Sequence, residues 1–399
     1  MSSKNFIMSD PSRSPVPACL SYGFRPFFLS AAVFAGIAIP LWVLMISGGV
    51  GVGWHHVSRH WHIHEMVFGF LPCVIAGFLL TAMPNWTDRP PVRGLPLMSL
   101  WLLWLAGRMA MALPGVPLPV SALVDGAFLM VMAGLVWREI TLAKAWDRFP
   151  IGVLISVYAG ANVLFHAQDV MGGATDVAER MALAVLMLLL ALIGGRVAPN
   201  FTEDFLEQAG VSHRPVAFSR FDGVSIVLLA LAGMAWTLQP DGVGTGAALV
   251  VTGSLHLIRL TRWYGWLTWR EPLVLVLHVG YGWLAVALMI MGGANLGWGV
   301  HPEDAVHALT TGAVGVMTLG VMTRASLGHT GRIKHAGALT VMMYLLVNGG
   351  AILRVFGASL YLPGTLTLSL AAFCWSGAYV LFAAGYGPML LSPSLDEDE

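Results

Sequence analysis

Trp61-His62-Ile63-His64-Glu65-Met66-Val67-Phe68-Gly69-Phe70 opens a stretch that runs on without another charged residue to Met83. A helix needs about 20 apolar residues to cross the ~30 Å of hydrocarbon in a bilayer, and residues 64–83 supply that length. Backbone groups in lipid find no water, so an isolated apolar run of this size reads as a helix whose amides bond one another. Yet His62, His64 and Glu65 stand at its mouth. Ionisable groups in a membrane are costly, and each is a candidate for function. Imidazole is also the common protein ligand for haem iron and copper.

One further apolar segment precedes it and ten follow. The spans read as 27–47, 64–83, 95–113, 118–138, 151–171, 177–198, 222–238, 242–260, 272–292, 303–324, 336–356 and 363–386. The 399 residues are 57% hydrophobic and 11% charged, with a mean hydropathy of +0.75. Soluble domains carry about 25% charged residues. Short connections leave no room for an inserted soluble domain. The expectation is an all-α polytopic membrane protein: an N-terminal segment over 1–26, one twelve-helix transmembrane domain over 27–387, and an acidic tail over 388–399. With formal net charge zero, nothing points to a nucleic-acid partner, and membrane lipid is the expected surrounding.

Lys and Arg favour the cytoplasmic side of a membrane protein. With the N-terminus placed inside, 17 of the 21 basic residues fall on or near the inner side, leaving Arg59, Arg108, Arg180 and Arg354 for the outer half. An even number of spans then puts both termini in the cytoplasm. Cys19, Cys73 and Cys374 form no C-x-x-C pair, which argues against covalent c-type haem and against a thiolate zinc site. Cys19 lacks a preceding apolar region, so a signal peptide is not expected.

Internal repetition is hinted at. Span 2 ends Pro84-Asn85-Trp86-Thr87 and span 6 ends Pro199-Asn200-Phe201-Thr202. His64, Gly69 and Gly77 in span 2 share their offsets with His307, Gly312 and Gly320 in span 10. Spans 2, 6 and 10 run in one direction and are four apart, suggesting three four-helix units. Chance matching in a Gly-rich apolar alphabet is the competing reading.

Five histidines crowd into residues 55–64. At about 100° per residue, His62 and His64 point roughly 200° apart on a helix and would face two different sites, unless the helix starts between them. His55, His56 and His60 also suit a plain interfacial girdle. His166 late in span 5 and His307 at the start of span 10 share the membrane depth of His62 and His64, so helices could bring them together. His278, about six residues into span 9 and nearer the inner side, lies roughly 10 Å deeper than a rim position at 1.5 Å per residue; it could ligate a second centre or the inner face of a haem, or be a packed core histidine. His256 reads more readily as packed. His62, His64, His166, His278 and His307 are the candidate haem or metal ligands. Glu65 is a candidate proton relay, and Arg108 and Arg354 are candidate partners for haem propionates.

Gly23-Phe24-Arg25-Pro26-Phe27-Phe28, Trp61 to Phe70, Ala76-Gly77-Phe78-Leu79-Leu80-Thr81-Ala82-Met83-Pro84-Asn85-Trp86, His307-Ala308-Leu309-Thr310, and Met322-Thr323-Arg324-Ala325-Ser326-Leu327-Gly328-His329-Thr330-Gly331-Arg332 closely resemble the NnrS family. The resemblance covers nearly the whole chain. It implies a twelve-span bacterial inner-membrane protein containing haem, here b-type, and copper. It implies a role in denitrification and in tolerance of nitric oxide and nitrosative stress. The positions matching the family's histidine motifs are His62, His64, His166, His278, His307 and His329. A weaker likeness is to haem–copper oxidases, which have three arcs of four spans; His301-Pro302-Glu303 departs from their motif at Asp304.

Three functions compete. A nitric-oxide-reacting haem–copper oxidoreductase or sensor would bind the diatomic ligand at the outer-facing site, with an unnamed electron donor. A transporter or handling protein for haem or copper would collect its cargo at the histidine-rich mouth. A scaffold would simply satisfy its histidines. The resemblance and the shared histidine depth favour the first.

Overall fold

Long apolar helices dominate the computed structural model, which describes residues 16–48, 58–360 and 363–395. Twelve helices are long and apolar enough to cross a membrane: Phe24–Ile46, Arg59–Thr87, Leu95–Ala112, Leu118–Ala143, Trp146–Val170, Asp176–Gln208, Arg220–Leu238, Val243–Thr261, Pro272–Asn295, Pro302–Gly328, Ala338–Phe356 and Gly364–Leu391. They are called spans 1–12. No strand occurs among the described residues. His55, His56 and the acidic end of the tail lie outside the described residues. Large apolar side chains such as Ile37, Leu123 and Phe373 point outward, as a lipid solvent requires.

The boundaries differ from the sequence reading where polar residues extend a helix beyond its apolar run. Span 2 starts at Arg59 because Ser58 Oγ accepts the Trp61 amide at 3.2 Å and caps the first turn. Span 6 passes through Pro199 and continues to Gln208. That extension carries Glu203, Asp204 and Glu207, so hydropathy alone ends the span early.

Three four-helix units close into a ring. Span 4 packs on span 5, span 8 on span 9, and span 12 on span 1, so equivalent junctions join the units. Spans 2, 6 and 10 lie inside, with 78%, 56% and 67% of their apolar windows buried; among the other spans only span 9, at 61%, is comparable. Each central span also contains a π-helical turn: Glu65–Phe70, Leu190–Gly194 and Ala308–Gly315. Such turns interrupt the helical ladder and re-aim the residues around them. The repeated glycines are close-approach points. A Cβ on Gly69 or Gly312, or on Gly77 or Gly320, would come closer than 3.0 Å to a neighbouring span.

Arg25 ties the two ends of the chain. Buried at the start of span 1, it donates to the carbonyls of Met389 (3.3 Å), Leu390 (3.2 Å) and Ser392 at the end of span 12. A guanidinium here satisfies last-turn carbonyls and complements the helix dipole. Both ends of the spanning domain therefore share one face, the terminal face.

Candidate functional site

The π turn in span 2 begins directly after the His-x-His pair, and the two imidazoles diverge. His64 turns into the packing between spans 2, 4 and 5, while His62 turns toward the middle of the ring. Two separate groups of polar residues result, both at the end of the molecule opposite the terminal face.

The first group is fully buried. His64 Nε2 lies 3.1 Å from Asp125 Oδ2 and 3.3 Å from His166 Nε2, and His166 Nε2 lies 2.8 Å from the same Asp125 oxygen. These three residues form the candidate metal-ligating cluster among the described residues. With metal–ligand bonds of about 2.0–2.1 Å, a tetrahedral edge is about 3.3 Å and an octahedral edge about 2.9 Å. The three separations therefore match one face of a coordination polyhedron. His64 Nδ1 donates to Glu65 Oε1 at 3.0 Å, which leaves the Nε2 lone pair toward the shared point. A carboxylate holding the far nitrogen is the usual support for a ligating histidine. Asn162 Nδ2 donates to Asp125 Oδ2 at 3.0 Å. His166 Nδ1 is buried without a hydrogen-bond partner.

Charge completes the case for a cation. Arg108 bridges the two carboxylates, donating to Glu65 Oε2 at 2.5 Å and to Asp125 Oδ1. One guanidinium between two carboxylates, with neutral imidazoles, leaves one negative charge uncompensated. Glu65 and Asp125 are only 1% and 2% exposed, so that charge has no water to stabilise it. A cation at the three-donor point would balance it.

The second group lines a cavity of about 570 Å³, well within the usual 300–1,000 Å³ of small-molecule sites. The central spans each present one helical stripe to it, at i, i+3, i+4 and i+7. The stripes are Arg59, His62, Ile63 and Met66; Asp176, Glu179, Arg180 and Leu183; and Glu303, Val306, His307 and Thr310. Spans 1 and 12 add apolar wall, including Trp42 and Trp375. The His62 ring stacks on Trp42 with centroids 5.1 Å apart and planes 9° from parallel. His307 Nδ1 donates to the Glu303 carbonyl at 2.6 Å, fixing the tautomer and leaving Nε2 as the acceptor. The cavity can hold a bulky, largely apolar ligand with imidazoles available from two helices.

The remaining candidates are distributed as follows. Arg354 lines the cavity and pairs with Asp304 at 2.7 Å. Arg108, expected beside a cofactor carboxylate, meets Glu65 and Asp125 instead, since the protein supplies its own acids. His278 is remote from both groups: its Nε2 donates to Thr202 Oγ1 at 2.7 Å. A Cβ on Gly265 would come closer than 3.0 Å to its ring. His256 bonds Tyr281 at 2.7 Å, and Arg259 joins Tyr281 to Asp222, a polar seam across spans 7, 8 and 9. Arg324 stacks over Phe201 at 3.7 Å. His329 packs against Tyr22 and Phe24.

Asp125, Asn162 and Arg180 escaped the sequence reading as site residues. Asp125 carried a signal, being an acid inside the apolar run of span 4, where ionisable groups are rare. Asn162 and Arg180 carried none that set them apart from interfacial polar residues.

Among known proteins, the sequence profile of a family described as NnrS protein matches residues 18–394, nearly the whole chain. A search of curated proteins finds no significant match.

Proposed function

The chain belongs to the NnrS family, and from that premise we propose that it is a haem- and copper-binding protein of the bacterial inner membrane that reacts with nitric oxide. The haem, b-type, is assigned to the cavity between His62 and His307. The copper is assigned to His64, Asp125 and His166. The observation that carries the reading is the cavity: two histidines from two central spans line one mostly apolar space of about 570 Å³.

The residues present fit both groups. In the cavity, His62 Nδ1 is buried without a hydrogen-bond partner, and the His307 tautomer is set by a backbone carbonyl. In the cluster, two imidazoles and one carboxylate make a donor set open to copper, zinc or non-haem iron, and copper is assigned to it on the family reading. When bound, haem iron and copper would supply open coordination positions and electrons for a diatomic ligand such as nitric oxide.

The chain's own residues do the rest. Trp42 holds the His62 ring in plane. Spans 1 and 12 give the cavity an apolar wall that includes Trp42 and Trp375. Glu65 Oε1 holds the proton on His64 Nδ1, and Arg108 keeps Glu65 and Asp125 in place. Glu65, next in sequence to the cavity-lining Met66, is assigned as the proton relay between the two groups. Both termini are assigned to the cytoplasm, which puts the cavity in the outer half of the membrane.

The test is a visible spectrum of the detergent-purified full chain, with iron and copper counted per chain, before and after nitric oxide under reducing conditions. A b-type spectrum that shifts on adding the gas, with near-stoichiometric metals, is expected. A colourless protein from haem-replete cells would contradict the reading and favour a transport role.

A further inference from the structure

Three arginines line the cavity, and they are not equivalent. Arg59 pairs with Glu303 at 3.2 Å, and Arg354 pairs with Asp304 at 2.7 Å. Both are thereby neutralised by acids at the start of span 10. Arg180 has no carboxylate partner among the described residues. Its Nε donates to the Thr237 carbonyl at 3.2 Å, which fixes the stem and leaves the two terminal nitrogens for a ligand. Acids are near: Asp176, Glu179 and Asp241 line the same cavity, but none forms an ion pair with Arg180. Glu179 instead accepts from Thr175 Oγ1 at 2.6 Å. Residues 49–57 and 361–362, outside the described structure, contain no Asp or Glu, so those connections offer no hidden partner.

Arg180 is partly buried at the edge of the cavity, about one turn into span 6. Its planar fork matches a carboxylate through two parallel hydrogen bonds. On the stripe of span 6, moreover, Arg180 occupies the i+4 position that His307 occupies on span 10. On span 2 the i+4 position is Ile63, with His62 beside it at i+3, so the stripes of spans 2 and 10 each carry an imidazole and that of span 6 carries none. We infer that Arg180 is the anchor for a carboxylate on the cavity's ligand, so that the site takes an amphiphile with an apolar body and an acidic edge. This rests on the haem reading, in which the acidic edge is a propionate. Arg180 sets the orientation of the ligand and discriminates between its free acid and its ester. It is a positioning residue, and neither Arg59 nor Arg354 substitutes for it.

The test uses full-length protein made in haem-deficient cells and titrated in detergent with iron protoporphyrin IX or its dimethyl ester, followed by absorbance. The natural chain is expected to bind the free acid about 10- to 100-fold more tightly than the diester, the span of one charge-assisted contact. Arg180→Gln is expected to remove that preference while leaving diester affinity unchanged, and Arg180→Lys to restore part of it. Should Arg180→Gln fail to fold, Arg180→Lys alone decides, because loss of the bidentate fork must still narrow the preference. An unchanged preference in both variants would overturn the inference with the haem reading intact. No binding of either porphyrin by the natural chain would overturn both.

Discussion

His64 and His166 bring their Nε2 atoms to 3.3 Å of one another from spans 2 and 5, with one Asp125 oxygen within 3.1 Å of each. The geometry is unfavourable for two bare lone pairs and favourable around a cation. The same cluster contains two carboxylates and one guanidinium, so its charge asks for that cation as well. His62, two residues away on the same helix, belongs to a different space. The consequence is two centres set by one turn of span 2.

Glu65→Gln keeps the shape of the cluster and removes the charge that supports His64. Outer partners of metal ligands typically matter 10- to 100-fold in affinity. Copper affinity is expected to fall by about that factor, with haem content unchanged. Copper competition with a chelator of known affinity measures it, and an unaltered affinity would show that His64 is no ligand.

Arg108→Gln leaves Glu65 and Asp125 facing each other without compensation. Breaking a buried pair on one side costs about 3–5 kcal/mol. A marked drop in unfolding temperature in detergent is expected, partly reversed in the Glu65→Gln/Arg108→Gln double variant. Additive losses in the double variant would indicate that the two residues are not coupled.

His278→Ala is expected to retain both haem and copper at natural stoichiometry. Thr202 Oγ1 donates to the Ala198 carbonyl at 2.8 Å, so it accepts the His278 Nε2 proton. The ring packs against Gly265, and His278 belongs neither to the cavity lining nor to the buried cluster. The variant loses one buried hydrogen bond, worth about 1 kcal/mol. Metal analysis checks it; loss of either metal would restore His278 to the ligand set.

Much of this was legible in the sequence, and the reasons divide cleanly. The twelve spans follow from apolar length, because lipid gives the backbone no alternative to a helix. The divergence of His62 from His64 follows from the helical period. The register shared by Gly69 and Gly312 marks real equivalence, since both sit where another span comes close. Pairing was not legible. Arg108 and Arg354 each need a carboxylate, but nothing local says whether a cofactor or Glu65, Asp125 and Asp304 supply it. Arg180 was hidden too, because a charged residue in the first turns of a span reads as an ordinary interfacial one. His278 is a ligand candidate by depth and by its match to the family's histidine motif, and the sequence does not show that it packs against Thr202 and Gly265, apart from both polar groups.

The most direct measurement counts iron and copper per chain in His62→Ala and His64→Ala, purified side by side with the natural protein. The account predicts a crossed result: His62→Ala loses haem and keeps copper, and His64→Ala loses copper and keeps haem. Loss of both metals in each variant, or of neither, would contradict two separate centres in span 2.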